Sequence, residues 1–166
     1  MHNVNKEFEL YEPMKHWLEI YLRDKYKKQK CKICVEDTHS VTLDSVLERQ
    51  GVIKYYPQTV GIDIQIDVLG TVAFENRADL IFIEAKKTAL NLHDLGQLWA
   101  YCRLCDPAES FLLSSGGIGS LEKILKNLHR EDLLDYGEGK RIKKMQVAKW
   151  DVLRKTVDFS SIIPKL

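Results

Sequence analysis

The period of the hydrophobic positions changes several times along the chain, and each period predicts a different element. In residues 1–27, apolar side chains recur every three or four positions, which predicts a helix. Residues 31–36 alternate as a short strand does, and THSVTLDSVLERQG predicts a short capped helix that ends at Gly51. The first third of the chain is therefore expected to form helix, strand and helix.

The centre of the chain has the pattern of a β-hairpin. GIDIQIDVLG (61–70) alternates strictly between apolar and polar residues, which predicts a strand with one buried face. ADLIFIEAKK (78–87) is almost continuously apolar, as expected of a strand buried on both faces in the middle of a sheet. VAFENR, between the two, predicts the turn.

The second half of the chain continues with alternating helices and strands. We predict a helix over 90–105, a strand over 109–115, a turn at SSGGIGS, a helix over 121–129 and a strand over 142–150. This order predicts an α/β fold in which helices flank a central mixed sheet. A length of 166 residues fits one domain, 1–166.

Composition narrows the classes of partner and the cellular location. With 45% hydrophobic residues, 30% charged residues and a net charge of +1, the chain is neither disordered nor a polycation. Binding to nucleic acid would therefore depend on a local basic patch. No apolar run is long enough to span a membrane, and the first residues lack the apolar core of a signal peptide. We expect a cytoplasmic protein with no membrane partner.

The four cysteines form two Cys-x-x-Cys pairs, Cys31/Cys34 and Cys102/Cys105. Zinc sites of this kind usually have about 15–20 residues between the pairs, whereas 67 residues separate them here. Cys102 and Cys105 share a helix face, but alternation places Cys31 and Cys34 on opposite strand faces. Buried structural thiols are the favoured interpretation, with a metal site or disulfides as the alternatives.

The predicted hairpin brings charged residues together at the end of its second strand. Opposite residues of an antiparallel pair have a constant index sum, and a turn centred between Glu75 and Asn76 places Asp67 opposite Glu84. Lys86 lies two residues after Glu84 and so on the same face, whereas Lys87 points to the other. We therefore predict a cluster of Asp67, Glu84 and Lys86.

This cluster has the composition of a phosphodiester-cleaving site. Two converging carboxylates suit Mg²⁺, which binds a few carboxylate oxygens and keeps several waters. A bound divalent cation acidifies its water and offsets the negative charge of a phosphodiester. An adjacent lysine can orient or deprotonate that water and stabilise the developing charge.

These residues resemble the PD-(D/E)xK nuclease signature. Ile66-Asp67 is followed, seventeen residues after the aspartate, by Glu84-Ala85-Lys86, with Ile66 in the position of the motif's proline. The next predicted helix carries Gln97-x-x-x-Tyr101, similar to the Q-x-x-x-Y element of many members. The likeness extends over roughly residues 5–115, including the predicted order of elements. It implies a restriction-endonuclease-like core, as in restriction enzymes, archaeal Holliday-junction resolvases and repair nucleases.

The resemblance also implies roles for single residues. Asp67, Glu84 and the backbone oxygen of Ala85 would bind Mg²⁺, for which Mn²⁺ would substitute, and Lys86 would be the catalytic lysine. Many members add a glutamate from the first helix, and Glu7 is chosen here from Glu7, Glu9 and Glu12 because its helix face looks inward. Gln97 would have a positional role. The implied activity is DNA cleavage, by an endonuclease rather than an exonuclease.

Each of these assignments has a structural alternative. Glu84 and Lys86 are also compatible with an ordinary ion pair, and Gln97 with a surface position. The whole chain is compatible with a non-catalytic nucleic-acid-binding or assembly module of the same fold. A Cys-ligated metal protein is a third interpretation, which strand parity disfavours.

The partners follow from the same reasoning. Lys27, Lys28 and Lys30 belong to a basic run that contacts DNA phosphates if it lies near the site, and that otherwise forms a solvated face. A homodimer is expected because cutting two strands needs two sites. The sequence has no obvious recognition domain, so specificity would come from DNA structure or from a targeting protein.

Overall fold

The almost continuously apolar stretch lies inside a sheet in the computed structural model, which describes residues 4–166. In spatial order, the six strands of this sheet are β1 (Lys32–Asp37), β2 (Val68–Ala73), β3 (Ala78–Lys86), β4 (Glu109–Ser114), β7 (Gln146–Asp151) and β8 (Thr156–Ile163). β3 pairs antiparallel with β2 and parallel with β4, so the sheet is mixed. The predicted inner position of this strand is confirmed.

Helices cover both faces of the sheet because β3 is apolar on both sides. A 3₁₀ turn (Glu7–Leu10) leads into α1 (Tyr11–Lys25), which packs on the face that carries Ile81 and Ile83. The opposite face, with Leu80 and Phe82, is covered by α2 (Leu43–Arg49), α3 (Leu92–Cys105) and α4 (Ser120–Glu122), which continues as a π-helical turn (Lys123–Asn127). The predicted α/β class is confirmed. Residues 1–3 of the predicted first helix lie outside the described residues.

The alternating stretch 61–70 is not one strand, which corrects the prediction. β2 begins only at Val68 and continues to Ala73, so the turn is also shorter than VAFENR. Before Val68 the chain is bonded to the stretch after β1: Leu43 N–H, at the start of α2, donates to Ile64 O at 2.8 Å, and Thr38 N–H donates to Asp67 O at 3.0 Å. An alternating pattern indicates only that one side of an extended segment is buried. A segment that packs on a loop can have this pattern although it forms no hydrogen-bonded strand ladder.

The C-terminal part of the sheet also differs from the expectation. The predicted strand 142–150 is divided at Met145, which is fully buried. Its first part, β6 (Lys143–Lys144), pairs with β5 (Asp135–Tyr136) in a separate ribbon, and the second part is β7. β8, which the sequence analysis missed, adds to β7 as an antiparallel edge strand. Its exposed positions weaken the apolar signal that marks inner strands.

The cysteines are free thiols in this structure. Cys102 and Cys105 are both fully buried on the inner side of α3, as their helical spacing predicted. The Cys102 thiol donates to Ser110 Oγ at 3.1 Å, whereas Cys31 and Cys34 are half-buried near the opposite edge of the sheet. The described part of the chain also contains no helix that is long and apolar enough to cross a membrane.

Candidate active site

The hairpin register places Asp67 beside Glu84. Val68 pairs with Ile83, and the same index sum holds to the Ala73–Ala78 pair, so one further step sets Asp67 opposite Glu84. Asp67 lies in a bend just before β2, where its Oδ2 accepts a hydrogen bond from Ala85 N–H at 2.8 Å. The predicted register is confirmed, although Asp67 itself is outside the ladder.

Lys86 completes the cluster on the same face. Its Nζ lies 3.6 Å from Glu84 Oε1, and the two side chains are 19% and 7% exposed. The side chain of Lys87 is directed elsewhere: it is exposed, and its Nζ donates to Asn5 O at 3.1 Å. The alternation of a strand thus separates the two lysines as predicted.

Burial raises the pKa of both carboxyl groups. It raises the pKa of Glu84 to about 8, with the charge of Asp67 as the next contribution. Burial also raises the pKa of Asp67, where the Glu7 charge adds to the effect and the Ala85 N–H opposes it. Two carboxyl groups in one buried place disfavour each other's ionised form. A cation between them would relieve this unfavourable charge.

Lys86 keeps its positive charge in this environment. Burial acts to lower the pKa of Lys86, but the carboxylates of Glu84 and Glu7 outweigh it, so the pKa is raised. The ammonium form therefore predominates at neutral pH. This favours charge stabilisation over proton abstraction as the contribution of Lys86.

The residues present fit a hard divalent cation. Glu84 Oε2 is buried and has no hydrogen-bond partner among the described residues, an arrangement that costs free energy unless a cation satisfies it. A strand residue directs its N–H and C=O toward the same neighbour, so the Ala85 carbonyl faces the side of Asp67. Asp67, Glu84 and this carbonyl are oxygen donors of the kind that Mg²⁺ binds.

A complete protein cage for a metal is not present. In the described residues, no group of three or more His, Cys, Asp or Glu side chains is arranged to hold a metal ion. Mg²⁺ does not require such a cage, because it keeps several of its waters and takes only one or two carboxylates. The donor set is thus suited to Mg²⁺ rather than to a structural zinc ion.

Glu7 and Tyr11 approach the cluster from the start of the first helix. Glu7 is half-buried in the 3₁₀ turn, and its charge acts on the pKa values of Asp67, Glu84 and Lys86. Tyr11 is buried beside them, and burial followed by the Asp67 and Glu7 charges raises the pKa of its hydroxyl. The glutamate predicted from the first helix is therefore in the electrostatic surroundings of the site.

A polar cavity of about 210 Å³ opens over the carboxyl groups. Gln97 and Tyr101 of α3 line it together with Asp67 and Glu84, so the helix predicted to follow β3 does bring both residues to the site. The remaining lining residues come from the loop after β1 and from the segment before β2: His39, Asp63 and Gln65.

His39, Asp63 and Gln65 line this cavity but were not among the predicted site residues, and His39 is the one that comes from a different segment of the chain. The only local feature of the sequence that could have identified it is the spacing Asp-x-His in EDTHS. Asp37 and His39, the two residues of this spacing, are in contact in the structure. No periodicity links the loop 38–42 with residues 64–67, which anchor it beside the cavity. The tertiary packing alone identifies His39.

The lysines predicted to contact DNA are not at this site. They follow α1, whose C-terminal neighbour Tyr26 donates its hydroxyl to Asp79 at 3.4 Å, near the start of β3. Asp79 is five residues before Glu84, a distance of about 17 Å along a strand. Lys27, Lys28 and Lys30 therefore lie toward the hairpin-turn end, away from the carboxyl groups, and Lys27 pairs with Asp24. The proximity to the site on which their phosphate contacts were made conditional is therefore not found, and a role of these lysines in DNA binding stays a prediction.

A second cavity, of about 700 Å³, lies at the carboxyl ends of three strands of the sheet. Lys87 and Thr88 after β3, Ser115 after β4 and Lys149 of β7 are among its lining residues. β3, β4 and β7 are parallel, so their carboxyl ends meet here. Ligands of open α/β sheets bind at such an edge.

Comparison of the chain with protein-family models, with curated proteins and with solved structures gave no match. The function is therefore argued from the geometry and charge of the site.

Proposed function

We propose that this protein is a Mg²⁺-dependent DNA endonuclease with a restriction-endonuclease-like core. The observation that carries the proposal is the pair of half-buried Asp67 and buried Glu84, beside the ammonium of Lys86. One oxygen of Glu84 lacks a partner among the described residues. The order α1, β1, α2, β2, β3, α3, β4, in which α2 is inserted between the first two strands, supports the same interpretation. Perturbed carboxyl groups that line a cavity are typical of functional sites.

The roles of the residues follow from their positions. Asp67, Glu84 and the Ala85 carbonyl would hold Mg²⁺, with Glu7 adding negative charge from the first helix turn. Bound there, Mg²⁺ would neutralise charge on the phosphodiester and acidify a coordinated water. Lys86, which stays charged, stabilises the negative charge that develops on the phosphoryl oxygens. Gln97 and Tyr101 orient the substrate from the facing side of the cavity.

DNA is the proposed substrate because the site has room for a chain that continues beyond the scissile bond. The 700 Å³ cavity lies at the carboxyl ends of β3, β4 and β7, and Lys149 is among its lining residues. A nucleic-acid backbone bound at the carboxylate site would continue along this edge of the sheet, where Lys149 supplies a positive charge for a phosphate. A homodimer would supply the second site for cutting both strands, and a targeting protein would supply any sequence preference.

The decisive experiment is cleavage of a panel of DNA structures. Duplex, flap, four-way junction and single strand are incubated with Mg²⁺, with Mn²⁺ or with chelator. We expect cleavage of at least one structure with either ion, none with chelator, and none by the Asp67→Asn variant. Stable DNA binding without cleavage under every condition would instead identify a non-catalytic binding module of the same fold.

A further inference from the structure

Asp37 and His39 form a carboxylate–imidazole pair at the end of β1. His39 Nδ1 lies 2.5 Å from Asp37 Oδ1, and the His39 backbone N–H donates to the same oxygen at 3.2 Å. These two contacts fix the ring on its Nδ1 side. Nε2, the other ring nitrogen, is thereby left for a further partner.

The loop that carries this pair is fastened to the carboxylate site. Thr38 is buried, its backbone N–H donates to Asp67 O at 3.0 Å and its hydroxyl to Ile66 O at 2.5 Å. On the other side, the His39 ring packs on Tyr11 with centroids 4.7 Å apart. The bonds to residues 66 and 67 hold His39 in the wall of the same cavity as Asp67, Glu84 and Gln97.

The proposed hydrolysis needs a group that accepts a proton, and the residues already assigned do not supply one. Lys86 is paired with Glu84 at 3.6 Å and remains an ammonium. Asp67 accepts from Ala85 N–H, and with Glu84 it would be engaged in binding the cation. A neutral imidazole whose Nδ1–H is held by a carboxylate presents a basic Nε2.

We propose that His39, oriented by Asp37, is the general base of the reaction, an inference that rests on the proposed nuclease function. The water oxygen bonds to phosphorus while its proton passes to His39 Nε2. The bond from phosphorus to the leaving oxygen breaks, and its electron pair stays on that oxygen, which takes a proton from solvent. The imidazolium then returns its proton to solvent. Asp37 is a positioning residue in this scheme.

Replacement of the imidazole and its return as a free molecule test the proposal. His39→Ala should lower kcat on the cleaved DNA about 10²–10⁴-fold, the usual contribution of general base catalysis. Added imidazole should raise the kcat of this variant as its concentration increases, because the free base replaces the missing proton acceptor. His39→Gln should be equally slow, which guards against a defect peculiar to alanine. His16→Ala, which removes an exposed histidine of α1, should cleave as the wild type does and be insensitive to imidazole.

The positioning role of Asp37 has its own readout. Asp37→Asn should lower kcat less than His39→Ala does, and it should have no further effect in the His39→Ala background, because the two residues act as one unit. Additive effects on kcat in the double variant would overturn the positioning role.

The possible outcomes distinguish the proposed role of His39 from the proposed nuclease function on which it rests. A wild type that cleaves while Asp67→Asn does not, combined with full activity of His39→Ala or an effect confined to KM, overturns the role of His39 alone. So does a decrease in kcat on which imidazole has no effect. A wild type that cleaves no DNA overturns the nuclease function and the role of His39 with it. An Asp67→Asn variant that cleaves as fast as the wild type places the activity outside this cavity and likewise overturns the role of His39.

Discussion

Neighbouring residues at the end of β3 have unlike environments because a strand alternates. Lys86 shares a face with Glu84 and lies 3.6 Å from its carboxylate, whereas Lys87 is exposed and contacts the backbone of Asn5. Both carry the same charge on the same side-chain stem. A comparison of Lys86 with Lys87 therefore tests the effect of position on the strand while the type of side chain stays the same.

Lys86→Ala should reduce the cleavage rate by about 10²–10³-fold, the usual effect of removing one group that stabilises transition-state charge. Both carboxylates remain, so cation binding should survive, and DNA binding should persist. Lys87→Ala is the matched control and should retain a kcat close to that of the wild type. Single-turnover cleavage with bound DNA measures both. An inactive Lys87→Ala beside an active Lys86→Ala would show that the face assignment is wrong.

At the scale of elements, α1 lies unusually close to β2. A Cβ built on Gly70 would approach Leu22 Cδ1 to 2.9 Å and Leu18 Cδ2 to 3.2 Å, and both leucines are fully buried. The close packing depends on the absence of a side chain on β2. It holds the helix whose first turns bring Glu7 and Tyr11 to the site.

Gly70→Val should destabilise the protein by about 1–3 kcal/mol, because the added methyl groups overpack the interface between β2 and α1. Gly96→Val is the matched control: Gly96 is exposed in α3, and a Cβ there would meet nothing within 4 Å. That change should stay within about 0.5 kcal/mol of the wild type. Equilibrium urea unfolding compares the two, and equal effects would contradict the close packing of α1 on β2.

At the scale of the whole molecule, the buried carboxyl groups couple stability to pH and to divalent cations. The pKa of Glu84 rises from 4.5 to about 8 on folding, so the folded state holds a proton that the unfolded chain releases. The proton on Glu84 therefore contributes fully to the free energy of unfolding below about pH 4.5, and this contribution is lost as the pH rises toward 8. The raised pKa of Asp67 acts in the same direction.

In chelator, the free energy of unfolding should fall between pH 5 and 8, by up to about 1.4 kcal/mol for each pH unit from Glu84. Glu84→Gln keeps a neutral side chain at every pH, so its profile should be flatter over this interval. Mg²⁺ should stabilise the wild type more at pH 8 than at pH 5, because it competes with the proton. Urea unfolding at several pH values measures this. Parallel profiles for wild type and Glu84→Gln would contradict it.

The proposed DNA contacts lie at two opposite ends of the sheet. The lysines after α1 are separated from the carboxyl site by most of that helix, whose 15 residues extend about 22 Å. A long DNA molecule is needed to contact both ends at once. These lysines are thus expected to contribute to affinity and not to the chemical step.

The triple change of Lys27, Lys28 and Lys30 to Ala should weaken binding of long DNA and flatten its salt dependence, because each lysine that neutralises a phosphate contributes about 0.9 to the log–log slope. The cleavage rate of saturated complexes should be unchanged. A control triple variant with Lys123, Lys126 and Lys155 changed to Ala removes equal charge elsewhere. Fluorescence anisotropy over a salt series measures both, and equal slopes for wild type and the Lys27 triple variant would identify a solvated face.

The sequence by itself determined the features that depend on local periodicity. The two-sided apolar run required β3 to be an inner strand, and alternation along it placed Glu84 and Lys86 together and Lys87 apart. The position of the turn fixed the register that sets Asp67 opposite Glu84. Such features could be predicted because backbone geometry repeats over a few residues.

Only the tertiary structure decided which segments meet. Of the alternating apolar residues in 61–70, Ile64 and Ile66 are buried together as predicted, but Ile62 is exposed and Val68 packs in the core on the other face of the sheet. Before Val68 the partner of this segment is the stretch after β1 and not β3. Packing of that loop brings His39 to the cavity, and the direction of α1 takes the lysine run to the far end. A side-chain pattern specifies how much of a segment is buried, but many surfaces can bury it equally well. The choice among them depends on the free energy of the whole packed chain.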